Sequence, residues 1–476
     1  MEDLKFVRAA VAEKKELAFE VNEKVWQYAE VAHREFQSAR LLCDVLRAEG
    51  FEVTEGVSGL PTAFKAVYGS GHPVLGLLGE YDALSALSQE AGKTEHAPIA
   101  GCEAGHGCGH SALGAASLAA ALAVKKYLQE TGRPGTIIYF GCAAEESCGA
   151  KPFMARDGEF DGVDGVFAWH PGDTNEVPNA NFVAASMIEY EFHGTTAHAG
   201  GSPHLGRSAL DACELMSVGC NYLREHMVSD ARIHYAYLDC GGTAPNVVQD
   251  HARVLYSVRA PKVHQMRELI ERVHDVARGA ALMTGTTVEW RLKQGYSDCF
   301  QNHVMAKLMD QALADVGAPQ WDESDYALAR EYVAQYNPVQ RAAFEDEVRR
   351  LYPAAQVADK LAHPLDSAVH PFDPIRAVQI CGSTDVGDVG YVTPTASLTI
   401  ATETLGAPGH SWFVTSQTNS PLGRKGLITA AEVMALSCIR AMQDPKLLAA
   451  AREEMLAVTG GVYDCPMNGV EPPYGN

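Results

Sequence analysis

The pattern of apolar and polar positions predicts helices first and then strands. Apolar residues recur with a helical period between residues 6 and 26 and again over residues 37–48, where the pattern stops before Gly50. Short apolar runs then occupy residues 62–68 and 73–79, on either side of a Gly-Ser-Gly sequence. Runs of this kind predict two strands paired around a turn.

The following section alternates between the two periods. The predicted elements are a helix over residues 111–130, a buried strand over residues 136–142, a helix over residues 151–156 and a buried strand over residues 165–169. Such alternation is typical of an α/β fold with a mostly parallel central sheet and helices on both faces. Ligands of these sheets bind beyond the carboxyl ends of the strands, which is where several acidic and histidine residues of this chain lie.

From residue 186 the order changes to strand-helix-strand-strand-helix-strand, which is typical of a ferredoxin-like α+β unit. We therefore predict a first part of the catalytic domain at residues 1–185, an inserted unit at 186–296 and the second part of the catalytic domain at 297–476. Within the last part, residues 318–375 are polar and are interpreted as irregular.

The composition of the chain limits the classes of partner that it is expected to bind. The net charge of the 476-residue chain is −22, which argues against nucleic acid or an anionic membrane as a partner. The first residues, MEDLKFVRAA, contain no basic segment followed by an apolar one, so no signal peptide is expected. Twelve cysteines in such a chain indicate reduced thiols and a cytoplasmic location.

The strongest local signal is the sequence Gly-His-Gly-Cys-Gly-His directly before a predicted helix. Cys108 and His110 lie two positions apart among glycines that let the backbone fold around an ion. Thiolate and imidazole are good ligands of zinc-like dications. The alternative is a buried cysteine next to a surface histidine.

Three further segments carry groups that could complete a metal site. Glu145 and Glu146 follow a buried strand, His170 ends another, and His410 lies in the distant sequence Pro-Gly-His-Ser-Trp. Each is weak evidence alone, because solvated acids and satisfied histidines are common. Together with the Cys-Gly-His motif they supply five ligands and one spare carboxylate, a set that suits two metals sharing a water.

The predicted inserted unit carries candidates for substrate contact. His198 and His204 lie before its first helix, and either could instead be a capping or surface residue. Asn246 and Arg259 are expected on the later strands of the unit, and an arginine can bind a substrate carboxylate through two hydrogen bonds. A surface ion pair is an equal alternative for Arg259. Asp385 and Asp388 could orient ligands or substrate, and a solvated Gly-rich loop is an equal alternative for both.

The ordered motif set resembles a known family. The sequences GEYDAL, GHGCGH, EE, WH, AHAGGSPHLGRSALDA, NVVQ and PGHSW are similar to those of the aminoacylase/carboxypeptidase type of co-catalytic metallopeptidase, along nearly the whole chain. The resemblance implies a catalytic α/β domain with an inserted ferredoxin-like domain that serves as lid and dimerisation surface, which agrees with the pattern-based prediction.

The resemblance also implies roles. Two divalent metal ions per subunit, zinc or manganese, are expected on Cys108, His110, Glu146, His170 and His410. Glu145 is the expected general base, and His198 is expected to reach the active site of a partner subunit. Asn246, Arg259 and His204 are expected to contact substrate, with Asp82 supporting the site from behind.

The resemblance implies hydrolysis of the amide bond of a small anionic N-acyl or N-aroyl amino acid. The first candidate substrate is p-aminobenzoyl-glutamate. Departures from the family pattern at Ser111, Ser147, Cys148 and Gly409 leave the acyl group open. A dipeptidase, an aminohydrolase that releases ammonia from an aromatic amine, and a non-catalytic member of a heteromeric hydrolase are the alternatives. The assembly is expected to be a homodimer or a heteromer with a homologous chain.

Overall fold

The computed structural model of the chain describes residues 2–473, which form a six-stranded sheet, a four-stranded sheet and a two-stranded sheet with helices packed on them. The elements up to the end of the fifth strand are α1 (Glu2–Tyr28), α2 (Phe36–Ala48), β1 (Glu52–Glu55), β2 (Phe64–Ser70), β3 (Val74–Gly79), α3 (His110–Thr131), β4 (Gly135–Gly141), α4 (Ala150–Arg156) and β5 (Gly165–Gly172).

The middle of the chain forms β6 (Ala180–Phe182), β7 (Ala184–His193), α5 (Ala209–Leu223), β8 (Arg232–Asp239), β9 (His251–Ala260), α6 (Val263–Thr284) and β10 (Thr287–Tyr296). The remaining elements are α7 (His303–Val316), α8 (Glu323–Ala334), α9 (Pro338–Leu351), α10 (Ala354–Ala362), β11 (Val378–Ile380), α11 (Val386–Val392), β12 (Thr395–Ala401), α12 (Trp412–Thr418), α13 (Pro421–Gln443) and α14 (Pro445–Thr459).

The six-stranded sheet has the order β1-β2-β4-β3-β5-β12. Its strands β4, β3, β5 and β12 run parallel, whereas β2 runs antiparallel to β4 and β1 runs antiparallel to β2 at the edge of the sheet. This architecture confirms the predicted α/β class. The predicted pairing of β2 with β3 is wrong, because β4 returns from α3 to lie between them and forms a ladder with each.

Helix α3 anchors the core of this sheet. Its many alanines let α1, α13 and the strands approach it from several sides, so that the helix is buried over most of its length. At Gly114 a Cβ atom would lie 2.6 Å from the backbone oxygen of Glu80, so only glycine permits this approach. The contact places the first turn of α3 beside the carboxyl end of β3. None of the helices within residues 2–473 combines the length and apolar character that a membrane crossing requires.

The four-stranded sheet has the order β10-β7-β9-β8 and is antiparallel throughout. Along β7 and β9, side chains point alternately to the two faces of the sheet. Those on the buried face, such as Tyr190, Phe192, Val254 and Tyr256, form a separate hydrophobic core with α5 and α6. The opposite face carries charged residues and histidines. The order of elements is that of the predicted ferredoxin-like unit.

Residues 318–375 are not irregular, as predicted, but fold into α8, α9 and α10. Tyr332, Tyr336 and Phe344 form a small core with Leu405 and Phe413, which flank the His410 loop. Helices α8 and α9 are short and carry charged exposed faces, so their apolar period is weak, whereas α10 is amphipathic but only 9 residues long. They are nevertheless well capped, because α8 and α9 each begin with a reciprocal side-chain-to-backbone capping box.

Candidate metal centre

The predicted site residues of the α/β layer come together at the carboxyl ends of its parallel strands. They are Asp82 after β3, Glu145 and Glu146 after β4, His170 near the end of β5, Cys108 and His110 at the start of α3, and His410 before α12. Because β4, β3 and β5 are neighbours in the sheet, residues distant in sequence converge at one edge.

The candidate ligand atoms form three overlapping groups. Each group has its ligand atoms within 4.8 Å of one another: Cys108 with His110 and His170, Cys108 with Glu146 and His410, and His110 with Glu145 and Glu146. The Sγ of Cys108 lies 3.4 Å from the Nε2 of His170, and the Nε2 of His410 lies 3.5 Å from the Oε1 of Glu146.

Two atoms of the cluster have the surroundings of cation ligands. The Nε2 of His110 and the Oε1 of Glu146 are buried, lie 4.0 Å apart, and have no hydrogen-bond partner within the described chain. A buried polar atom without a partner is costly, so native structures leave few of them unexplained. Thiol, imidazole and carboxylate around these atoms are the donor set that binds zinc-class dications.

Asp82 orients two of these groups at once. The Nδ1 of His110 donates to Asp82 Oδ1 at 2.8 Å, and the backbone N–H of Glu146 donates to Asp82 Oδ2 at 2.9 Å. Burial alone would raise the pKa of Asp82, but the charge and hydrogen bond of His110 hold it below its ordinary value. The bond assigns the Nδ1 proton and leaves Nε2 of His110 directed into the cluster, as carboxylate partners of metal-bound histidines do.

A hydrogen bond from Nδ1 also orients the ring of His170, but the acceptor is a backbone carbonyl instead of a carboxylate. Its Nδ1 donates to the backbone oxygen of Pro171 at 2.6 Å, which leaves Nε2 facing Cys108. Desolvation of the ring lowers the pKa of His170, and the positive charge of His110 adds to this effect. A neutral imidazole is the form that can bind a cation.

Glu145 has the environment of a proton carrier. Burial raises its pKa well above the ordinary range, and the negative charges of Glu80 and Asp385 act in the same direction. Its backbone is held in place because the hydroxyl of Tyr296 donates to its carbonyl at 3.0 Å. Ala144 before it adopts a left-handed φ of 61°, which turns the chain sharply as it leaves β4.

A buried lysine that the sequence reasoning missed supports the cluster. The Nζ of Lys151 donates to Glu80 Oε1 at 2.6 Å and to Asp385, and all three side chains are buried. The other oxygen of Glu80 lies 3.3 Å from the Nε2 of His110. Glu80 follows a predicted strand and Asp385 lies in a predicted Gly-rich loop, whereas the sequence around Lys151 has no feature that indicates a buried charge.

The loop of His410 is held by the first helix of the chain. His410 itself has a left-handed φ of 50°. The indole of Trp26 donates to Thr415 O at 2.9 Å, and the ring of His106 donates to Val25 O at 3.0 Å. Through these bonds α1 positions both the Cys-Gly-His turn and the start of α12.

The predicted substrate-contact residues lie elsewhere, on and around the four-stranded sheet. His198 is exposed, and its Nδ1 accepts hydrogen bonds from the backbone N–H groups of Gly200 and Gly201 at 3.1 and 3.0 Å. The backbone N–H of Ala199 donates to the carbonyl of Asn246 at 2.9 Å, so His198 and Asn246 lie on adjoining loops.

Arg259 and His204 also remain apart from the cluster. The Nη1 of Arg259 donates to Cys381 O at 3.0 Å, and His204 is exposed in a short turn before α5. Within residues 2–473, no hydrogen bond or ion pair connects any of these four residues to the candidate ligands.

Comparisons with known proteins agree with this fold and site. Residues 76–370 match the sequence profile of peptidase family M20/M25/M40. One p-aminobenzoyl-glutamate hydrolase subunit of Escherichia coli (strain K12) is 38% identical over 466 residues, which cover 97% of each chain. The Xaa-Arg dipeptidase of Mus musculus is 29% identical over 303 residues, 60% of this chain and 66% of the dipeptidase.

Solved structures have the same fold. The aminobenzoyl-glutamate utilization protein from Klebsiella pneumoniae aligns with a TM-score of 0.58 at 17% identity and covers 91% of this chain and 98% of its own. A dinuclear metal binding peptidase of Bacillus subtilis also has a TM-score of 0.58, at 15% identity, covering 91% and 99%. The chain therefore belongs to peptidase family M20/M25/M40.

Proposed function

We propose that this chain is an amidohydrolase whose preferred substrate is an N-aroyl amino acid of the p-aminobenzoyl-glutamate type. The observation that carries the proposal is the pair of unpartnered buried atoms, His110 Nε2 and Glu146 Oε1, beside the carboxyl group of Glu145. The near full-length similarity to the E. coli hydrolase chain supports the substrate class.

The proposed ligands of two divalent ions are Cys108, His110, Glu146, His170 and His410. Burial raises the pKa of the Cys108 thiol, which therefore keeps its proton until a bound cation displaces it and stabilises the thiolate. The thiolate favours zinc, whereas imidazole and carboxylate also accept manganese.

The chemistry then divides between the ions and Glu145. When bound, the ions would polarise the amide carbonyl and lower the pKa of a water molecule. Glu145 removes the proton of the attacking water and delivers it to the leaving nitrogen. Asp82 keeps His110 and Glu146 in place throughout, since its two oxygens bind one group each.

Completion of the site by a second copy of the chain is part of the proposal. Among residues 2–473, no hydrogen bond or ion pair joins His198 to the candidate ligands of its own chain, so we assign it to the oxyanion of the site in the partner. Asn246 and His204 would contact substrate from the same region, and Arg259 would bind the substrate carboxylate.

The surface that supports dimerisation is apolar and lies on α5 and β8. Leu215, Val218 and Tyr222 recur on one face of α5 and are 37%, 50% and 77% exposed. Strand β8 is an edge strand of the four-stranded sheet and exposes Tyr235 and Leu238. A second copy of the chain would cover both. A heteromer is the alternative, because another p-aminobenzoyl-glutamate hydrolase chain of the same E. coli strain is also similar, at 30% identity over 260 residues.

The decisive experiment compares the metal-loaded protein with the variant Glu145→Gln. We expect release of glutamate from p-aminobenzoyl-glutamate, faster than hydrolysis of Xaa-Arg dipeptides, and a loss of about 10²- to 10⁴-fold in kcat for the variant at unchanged metal content. Release of ammonia instead of glutamate would favour an aminohydrolase, and undiminished turnover of the variant would remove Glu145 from the mechanism.

A further inference from the structure

A second group of potential metal ligands lies on the polar face of the four-stranded sheet, away from α5 and α6. His193 on β7 is directly opposite His251 on β9, and Glu191 precedes His193 by two residues on the same face of β7. The Glu191 carboxylate and the two imidazoles have ligand atoms within 4.8 Å of one another. Directly opposed residues of antiparallel strands are the natural geometry for two side chains that share one ion.

The distances within this group suit a small cation. The Nε2 of His251 donates to Glu191 Oε1 at 2.8 Å, and the Nε2 of His193 lies 3.8 Å from the same oxygen. Ligands at zinc-like bond lengths in a tetrahedral site lie about 3.3 Å apart, between these two values. An ion between the three atoms would replace one hydrogen bond and draw His193 inwards by a small rotation.

The surroundings are acidic and open to solvent. Asp239 Oδ2 lies 3.4 Å from His251 Nδ1, and Glu289 Oε1 lies 3.7 Å from His193 Nε2. Arg291 faces the other oxygen of Glu191 at 3.6 Å and leaves Oε1 to the histidines. The side chains of His193 and His251 are 41% and 34% exposed, so an ion can reach them directly from water.

We propose that Glu191, His193 and His251 form a third metal site, separate from the candidate catalytic pair, for a zinc-class dication. Two imidazoles and one carboxylate supply three ligands, and the exposed side of the group leaves the fourth position to water. The absence of a thiolate distinguishes this donor set from that around Cys108.

The site lies at the root of the loops that carry His198 and Asn246. Directly after His193, the backbone N–H of Gly194 donates to Asp250 O at 2.7 Å, and His198 pairs with Val247. An ion shared by β7 and β9 would tie together the two strands from which these loops leave. We therefore expect the ion to stabilise this part of the fold, independently of whether the proposed hydrolysis is correct.

The test is metal stoichiometry at saturating Zn²⁺, measured by equilibrium dialysis and elemental analysis of the full chain. Wild type is expected to bind about three ions per chain and His193→Ala/His251→Ala about two, with the third ion of wild type raising the melting temperature. His234→Ala, which removes an exposed histidine of β8, is the matched control and should keep the third ion.

Two further variants keep the result interpretable. Glu191→Gln retains the size of the side chain and should weaken the third ion at least tenfold, whereas Cys108→Ala/His110→Ala should lose ions without affecting it. Equal stoichiometry in wild type and the double histidine variant, or an equal loss in His234→Ala, would overturn the proposal. Neither result bears on the activity assigned to Glu145.

Discussion

Asp82 shows how much of the candidate metal centre depends on a single side chain that would touch no ion. Its two oxygens accept from the ring of His110 and from the backbone of Glu146, and it is fully buried. A change here alters the direction of one ligand and the position of another while leaving every ligand in the sequence.

Asp82→Asn keeps the shape of the side chain but places an N–H₂ group against one of its two donors. We expect metal affinity to fall about 10- to 100-fold, because such supporting carboxylates orient the ligand ring. Competition with a chelator measures the change. Asp161→Asn, in an exposed loop, is the control, and equal affinities of the two variants would show that Asp82 does not orient the site.

The ligand candidates could be predicted from sequence because each lies in a short motif next to a strand end or a helix start. Lys151 could not, since nothing in its local sequence distinguishes it from a surface lysine at the start of a helix. Its role depends on Glu80 and Asp385, which only the fold brings to it. Likewise, the separation of His198 from the cluster follows from the arrangement of the two sheets.

At the scale of elements, hydrogen bonds to Asp366 connect the segment of helices α8 to α10 with the α/β layer. This buried carboxylate accepts from the backbone N–H of Asn175 at 2.8 Å, from the hydroxyl of Tyr352 and from the Nε2 of His370 at 3.0 Å. The buried strands could be predicted because their apolar runs are continuous, and α3 because it is apolar on nearly all sides. Helices α8 and α9 could not, because their apolar period is weak, although their capping boxes offer a usable signal, and α10 is only 9 residues long.

Asp366→Asn should lower the free energy of unfolding by about 2 kcal/mol, since a hydrogen bond to a charged group becomes one to a neutral amide and one acceptor becomes a donor. Urea denaturation followed by tryptophan fluorescence reports the change through Trp321, whose indole donates to Asp366 O. Asp373→Asn in the exposed loop serves as control. A change below a few tenths of a kcal/mol would exclude this fastening role.

The same pair gives stability a defined pH dependence. The pKa of Asp366 is lowered despite burial by the hydrogen bond and charge of His370, and the pKa of His370 is raised, again against burial, by Asp366. The aspartate contribution is complete above its unfolded pKa of about 4 and is lost as the pH falls through its folded pKa. The histidine contribution is complete below its unfolded pKa of about 6.5 and is lost as the pH rises through its folded value.

We therefore expect the difference in unfolding free energy between wild type and His370→Gln to be greatest between about pH 4 and pH 6.5 and to shrink on either side. Denaturation series at several pH values measure it. A difference that grows steadily from pH 6 to pH 9 would contradict the assigned direction of the His370 shift.

At the scale of the whole molecule, the groups assigned to the reaction are divided between two sheets. The candidate ligands and Glu145 lie at the edge of the six-stranded sheet, and His198 lies on a loop of the four-stranded one. If each active site takes His198 from the other copy of the chain, two inactive variants can restore one another.

Mixed and reassembled Glu145→Gln and His198→Ala chains should regain about a quarter of wild-type activity, because half of the dimers are mixed and each has one intact site. Separate incubation of the two variants is the control. A third variant, Tyr222→Glu, places a charge on the apolar face of α5. We expect it to be inactive, and we expect light scattering to show that it is a monomer. Persistent inactivity of the mixture would place His198 within the site of its own chain.

The hydrogen bond between Trp26 of α1 and Thr415, which follows the His410 loop, has a consequence for biosynthesis. Trp26 is made first among these residues and its partner Thr415 nearly last, and His410 follows Cys108 by roughly 300 residues. A nascent chain on the ribosome therefore exposes an unfilled α1 surface and a Cys-Gly-His turn without its distant partner. The complete set of candidate ligands and the contact between Trp26 and Thr415 can therefore form only after residues 410–415 have been synthesised, about 300 residues after the Cys-Gly-His turn.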